Sequence, residues 1–314
     1  MAANTAEREQ NVTKYSYKLR LISPAFIAGV DKRQPEMRAT SIRGQLRYWL
    51  RAAVGAKNAN SRDLWERESA VFGSTSVGSA ISMRVYRAEP AKSAEYAMLP
   101  HRRNEGRRRS SEQFALKHGQ AFDLTLLTRP GVRMPEDALD ALKLWSLLGG
   151  IGRRSRRMFG AVEITSPSNA PDWYTPLQSP QELAQLIQEV VTKVAPFPAL
   201  GAIPSFPTLN VGHSWIIVGQ DAYPTYEDAL ISLFRDLLRS PKFIEKQDTF
   251  GQAIGGRRAS PLIAQVRRIG PDSYYPVLTA LRSKPDRRID WDHLKLFMLA
   301  AESHFNAVRV WGGW

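Results

Sequence analysis

Between residues 14 and 165 the hydrophobic period changes in a fixed order, and that order limits the fold more than any other feature of the chain. Lys14 to Ile22 alternates as a strand does and is stopped by Pro24 and by the turn-rich segment Gly29 to Pro35. Residues 38–54 switch to helical spacing, with Ile42, Leu46, Leu50 and Ala53 on one face and Ser41 placed to cap the start. A helix over Ser61 to Val71 follows, then a strand over Ala80 to Ala88 and another within Phe114 to Leu127. A helix over Pro135 to Leu148 and a short strand at Ala161 to Thr165 close the series. This is the β-α-β-β-α-β pattern, in which an antiparallel sheet carries two helices on one face. RNA-recognition modules use that topology, and so do unrelated proteins.

Ser166 to Pro180, rich in Pro, Ser and Asn, is a predicted linker. Beyond it come a helix over Gln181 to Val194, a Pro-rich stretch over Ala195 to Pro207, a strand over Leu209 to Val218 and a helix over Tyr226 to Arg239. Strands at Ser260 to Arg268 and Tyr274 to Leu281, a helix over Trp291 to Ala307 and a short strand in Val308 to Trp311 then complete the same order, once the helix at Gln181 is set aside. The expected fold class is therefore α+β, with two tandem ferredoxin-like domains. A polar tail occupies 1–13, the N-terminal domain 14–166 and the C-terminal domain 167–314. Within the first, residues 90–113 carry Arg102, Arg103, Arg107, Arg108 and Arg109 with weak periodicity, as expected of a mobile basic loop.

A formal net charge of +14 implies a polyanionic partner. The sequence contains no apolar run near the roughly 20 residues needed to span a bilayer, so nucleic acid is the expected partner and membrane is not. The absence of cysteine removes disulfides, thiolate metal sites and cysteine nucleophiles. The polar start, Met1 to Gln10, without an apolar signal segment, gives cytoplasmic localisation as the expectation.

Two motifs stand out as RNA-contact candidates. Arg43, Arg47 and Arg51 form an i, i+4, i+8 stripe on the first helix, with no acid at i±4 within it. Four helical residues rise about 6 Å, so such a ladder can meet successive phosphates, each guanidinium binding bidentately. The alternative is a solvated helix whose arginines pair with carboxylates. The second motif is Gly149-Gly-Ile-Gly-Arg-Arg-Ser-Arg-Arg-Met-Phe-Gly160. Here Gly150 and Gly152 permit close backbone approach, and Arg153, Arg154, Arg156 and Arg157 surround any anion held there. A structural helix cap is the competing explanation. The loop leaves a helix and lacks the Lys-Ser or Lys-Thr ending of a P-loop. A related element at 251–261 places Arg257 and Arg258 after glycines.

Catalytic candidates are few. His101 or His118 is a possible general base on a ribose hydroxyl, and Asp31 with Glu36 a possible divalent-ion pair, although pairing with Arg33 or Arg38 competes. No metal and no cofactor are expected. Tyr17 and Trp215 are placed either to stack on bases or to fill a core.

Three segments together resemble the RAMP superfamily of CRISPR proteins, and within it the Cmr proteins of type III-B effector complexes. They are Pro24-Ala-Phe-Ile-Ala-Gly-Val-Asp31 followed by Arg38 and Ser41-Ile-Arg-Gly-Gln-Leu-Arg-Tyr-Trp-Leu-Arg51, then Gly149 to Gly160, then Arg257-Arg-Ala-Ser-Pro-Leu262. The resemblance implies two tandem ferredoxin-like domains and a place near the 3′ end of a CRISPR RNA. It implies contact with guide and target RNA, other RAMP subunits of the Cmr complex as neighbours, and a binding role rather than target cleavage. Relatives on the same fold include endoribonucleases, so an RNA-processing or RNA-cleaving enzyme is the alternative, and a general RNA-binding protein a third reading. Met158 departs from the family pattern, which commonly has glycine there; a requirement for positive φ would strain it.

Overall fold

The computed structural model describes residues 12–58, 60–87, 92–98, 112–168, 176–251, 258–284 and 289–314. In the first half, β1 (Lys14–Leu21) leads through an irregular segment to α1 (Ala39–Asn58) and α2 (Ser61–Phe72), which Asn60 caps through its side chain to the Arg62 N–H. Then come β2 (Ile81–Tyr86), β3 (Ser93–Ala97), β4 (Glu112–Leu116), β5 (Ala121–Thr128), α3 (Glu136–Leu148) and β6 (Val162–Ser168). The sheet order is β2-β5-β1-β6, with every neighbour antiparallel. The first strand of the unit is central and the last lies beside it, as the split βαβ pattern requires.

The second half repeats the arrangement. After α4 (Pro180–Val194), with Ser179 as its cap and Pro180 in the first turn, come β7 (Ser214–Val218), α5 (Tyr226–Ile231), β8 (Leu262–Arg268), β9 (Tyr274–Leu281), α6 (Trp291–His304) and β10 (Val308–Gly312). The order β10-β7-β9-β8 is antiparallel throughout and places the strands as in the first sheet. The fold is thus α+β with two ferredoxin-like sheets.

Three elements differ from expectation. The mobile loop expected at 90–113 contains a hairpin: β3 pairs antiparallel with β4 from Ser93↔Leu116 to Ala97↔Glu112. Arg102, Arg103, Arg107, Arg108 and Arg109, with His101, lie outside the described residues. The helix expected to run unbroken from Tyr226 changes after Ile231 into a π-helical turn over Ser232–Leu238, which buries Leu233, Phe234, Leu237 and Leu238 together. Ser41 is not the cap of α1, because the helix begins at Ala39 and the Ser41 N–H donates to the Arg38 carbonyl at 3.1 Å.

The sheets are buried differently. In the first, Tyr17, Leu19 and Leu21 of β1 and Phe122, Leu124 and Leu126 of β5 face α1 and α3, where Leu46, Trp49 and Trp145 complete the core. Tyr17 and Trp215 are both buried, so they belong to the core and not to a stacking surface. Alternate residues on the other face of this sheet remain open to solvent. In the second sheet, β7 and most of β8 are buried at every position, because α5 and α6 cover one face and α3 and α4 pack on the other side. Among the described residues no helix is long and apolar enough to cross a membrane.

Candidate nucleic-acid interface

The arginine stripe of α1 is engaged at the end of α2. Arg43 donates to the Phe72 carbonyl at 3.1 Å and to Ile81 at 3.4 Å, while Arg47 donates to the Phe72 and Gly73 carbonyls. Glu68 holds both Arg47, at 3.2 Å, and Arg51, at 3.5 Å. The last carbonyls of a helix lack intrahelical partners and carry partial negative charge, so the guanidiniums of Arg43 and Arg47 are a good match for them, and Arg51 joins through Glu68. Burial, with Arg47 nearby, lowers the pKa of Arg43. The missing counter-charge at i±4 is thus supplied by a different helix, and the stripe first serves to dock α2 on α1.

The glycine-rich loop also has a structural task. Gly152 sits at φ 85° and Gly160 at φ 65°, and a Cβ on them would stand 2.6 Å from the Phe26 oxygen and 1.9 Å from the Ile151 oxygen. Gly150 has Gln265 against it, and the Gln265 amide donates to the Ser155 carbonyl. Arg157 donates to Arg156, Ser260, Leu262 and Phe250, and Arg156 to the Ser260 carbonyl. Arg267 reaches back from β8 to the carbonyls of Leu147 (2.6 Å), Gly149 (2.8 Å) and Val162 (3.3 Å). The loop is therefore a brace between the two sheets. Burial pushes both Arg157 and Arg267 down to about 9, with the charges of Arg154 and Arg156 adding to the effect on Arg157.

Arg154 lies over the Phe234 ring at 5.8 Å, and burial lowers it to about 10. Met158 does adopt positive φ, at 62°, as does Arg154. Its side chain is fully buried in the second core and its N–H donates to Ala264 at 2.8 Å, so packing holds the backbone there. Arg157 and Arg154 are thus half-buried and engaged within the protein. Arg153 is different: its N–H donates to the Phe26 carbonyl and its side chain is exposed. Arg258 is half-buried beside Gly251, and Arg257 lies outside the described residues.

A cationic track remains on the solvent face of α1. Its centre is Gly44, an exposed glycine in the helix interior with nothing within 4 Å of a Cβ built on it. Helical geometry at 100° per residue puts Thr40, Tyr48 and Arg51 on the same face. Arg47 and Arg51 flank it on the α2 side, and Arg156 lies 5.1 Å over the Tyr48 ring on the other. Arg38, paired with Glu36 at 3.3 Å, stands at the helix start, and Phe206 covers Gly55 towards its end. A mid-helix glycine costs about 1 kcal/mol relative to alanine. No packing contact explains it here.

Three of the catalytic candidates fall among the described residues. Asp31 accepts the Arg33 N–H at 2.8 Å, Glu36 pairs with Arg38, and the exposed His118 lies against the Tyr226 ring at 5.2 Å. Among the described residues no group of His, Cys, Asp and Glu is arranged to hold a metal.

Comparison with known proteins agrees with this architecture. Residues 18–163 match the RAMP superfamily. Over nearly its whole length the chain is similar in sequence to one Cmr1 subunit of a CRISPR system, and over about half to another. It is 26% identical to CRISPR system Cmr subunit Cmr1-1 of Pyrococcus furiosus, across 94% of this chain and 96% of that protein. With Cmr1-2 of the same organism it shares 27% identity over 47% of this chain and 93% of that one. The crystal structure of Cmr1 from Pyrococcus furiosus in its apo form superposes with a TM-score of 0.67 at 22% identity, covering 96% of this chain and 99% of that chain. A chain of the type III-B Cmr-beta complex bound to cognate target RNA gives 0.66 at 12% identity, covering 94% and 100%. At these identities the structural likeness establishes a shared fold along nearly the entire chain.

Proposed function

We propose that this chain is a non-catalytic RNA-binding RAMP subunit of a type III-B (Cmr) CRISPR effector ribonucleoprotein. In that role it sits near the 3′ end of the CRISPR RNA, contacts guide and target RNA, and packs against other RAMP subunits. The observation that carries this reading is the open glycine face of α1 at Gly44, lined by Arg47, Arg51 and Arg156 and headed by Arg38, with Arg153 exposed on the adjoining loop. A polynucleotide backbone needs both close approach and charge, and phosphate contacts carry no base information, as suits a protein that must accept any guide. The similarity to Cmr1 proteins and the fold shared with a chain from an RNA-bound Cmr complex support the assignment.

The test is a salt series of binding to single-stranded RNA, comparing the unaltered protein with an Arg38→Ala/Arg153→Ala variant. Both side chains are exposed, so the variant should fold. Each lost phosphate contact is expected to flatten the slope of log affinity against log salt by about 0.7. An unchanged slope overturns the placement, and RNA cleaved during the incubation overturns the non-catalytic role.

A further inference from the structure

The open face of the first sheet holds an exposed aromatic residue that neither the core nor the α1 track uses. Tyr86 ends β2, an edge strand, and is 66% exposed, whereas Ile81 on the inner face is buried. It pairs across the sheet with Asp123, which pairs in turn with Lys18, so Tyr86, Asp123 and Lys18 form one row across three strands. Ser82 and Arg84 share the face on β2, and Lys14 and Ser16 share it on β1.

The row ends at a cavity of about 520 Å³ between the sheet and the base of the β3–β4 hairpin. Lys18, Arg87, Lys92, Lys117 and His118 line it, and Asp123 is the single carboxylate. The Gln120 side chain ties its walls together, accepting from the Lys92 N–H at 2.9 Å and donating to the Lys117 carbonyl at 3.2 Å. An aromatic ring on an open antiparallel sheet beside a cationic recess is what an unpaired nucleotide requires: a surface for its base and donors for its phosphate.

We infer that this face takes up single-stranded RNA, with Tyr86 stacking on an unpaired base and Lys18, Lys92 and Lys117 holding adjoining phosphates in the cavity. The inference rests on the RNA-binding reading given above but not on the α1 track, which uses other residues. The excess of lysine and arginine over carboxylate selects a polyanion. The exposed phenol ring selects one with unstacked bases rather than a regular duplex, whose bases are already stacked. Asp123 beside Lys18 moderates the charge at the centre of the row.

The experiment titrates the full chain into a short single-stranded RNA carrying 2-aminopurine, whose fluorescence falls on stacking against an aromatic ring. Tyr86→Ala should abolish the quench and weaken binding about 5- to 160-fold, the range for one base–aromatic contact, while Tyr86→Trp restores both. Lys92→Ala/Lys117→Ala should flatten the salt dependence, and Asp123→Asn should steepen it. Quench and affinity unchanged in Tyr86→Ala overturn the inference, and the effect of Arg38→Ala/Arg153→Ala then decides the α1 track separately. Unchanged RNA binding with loss of association to other Cmr subunits identifies the face as a protein contact and likewise overturns it. No RNA binding by the unaltered chain overturns both.

Discussion

Replacing Gly44 by alanine should move stability and function in opposite directions. Gly44 lies well inside the helix Ala39–Asn58, and the added methyl would meet no atom within 4 Å, so neither clash nor new burial enters the balance. What remains is the backbone term. Alanine in a helix interior is favoured over glycine by about 0.8–1.0 kcal/mol, mostly through the smaller freedom of the unfolded chain. At about 2–4 °C per kcal/mol for a chain of a few hundred residues, the midpoint of thermal unfolding should rise by about 2–4 °C. Binding to single-stranded RNA should weaken, because the methyl stands where the backbone would approach between Arg47 and Arg156; Gly44→Gln should weaken it further without loss of stability. Thermal unfolding followed by circular dichroism and RNA titration at fixed salt supply the two readouts. A stabilised variant with unaltered affinity would refute the proposed track, and a destabilised one would refute the claim that the glycine lacks a packing role.

Other consequences follow from the same geometry. Glu68→Gln releases Arg47 and Arg51 from their shared carboxylate and should tighten RNA binding while steepening its salt dependence, measured by the same titration. Met158→Gly relieves about 1–2 kcal/mol of positive-φ strain but removes a fully buried side chain worth about 2–5 kcal/mol, so denaturant unfolding should show a net loss of up to about 4 kcal/mol and no gain. Arg267→Met strips the donors from three enclosed carbonyls and should lower stability by at least about 3 kcal/mol in the same measurement, with lysine restoring only part of it.

The strand and helix order was legible because the two periods, 2 and 3.6, are local properties. The Lys14 strand, the Ile42 face and the Tyr274 strand needed no partner to be recognised. What sequence could not show is which tertiary neighbour a charged group finds. No acid lies at i±4 in the arginine stripe, yet Glu68 reaches it from the next helix. Arg157 and Arg267 carry the same side chain as exposed Arg153, but their partners are carbonyls more than 90 residues away in the chain. The hairpin of 93–97 with 112–116 is not legible because its first strand, Ser-Ala-Glu-Tyr-Ala, is short and weakly patterned, and the π turn because its leucines fit an α-helical period nearly as well. Tyr86 was accessible in principle: the alternation of Ala80 to Ala88 already sets it on the face of Ser82 and Arg84, opposite Ile81.

The brace between the sheets joins arginine side chains to main-chain oxygens. A carbonyl is present whatever residue occupies the position, so Leu147, Val162, Phe250 and Leu262 serve as acceptors irrespective of their side chains. Only the donors are fixed in kind. Substitutions can therefore accumulate across this junction without altering how the two halves are set against each other, in keeping with a fold shared over 96% of this chain at 22% identity.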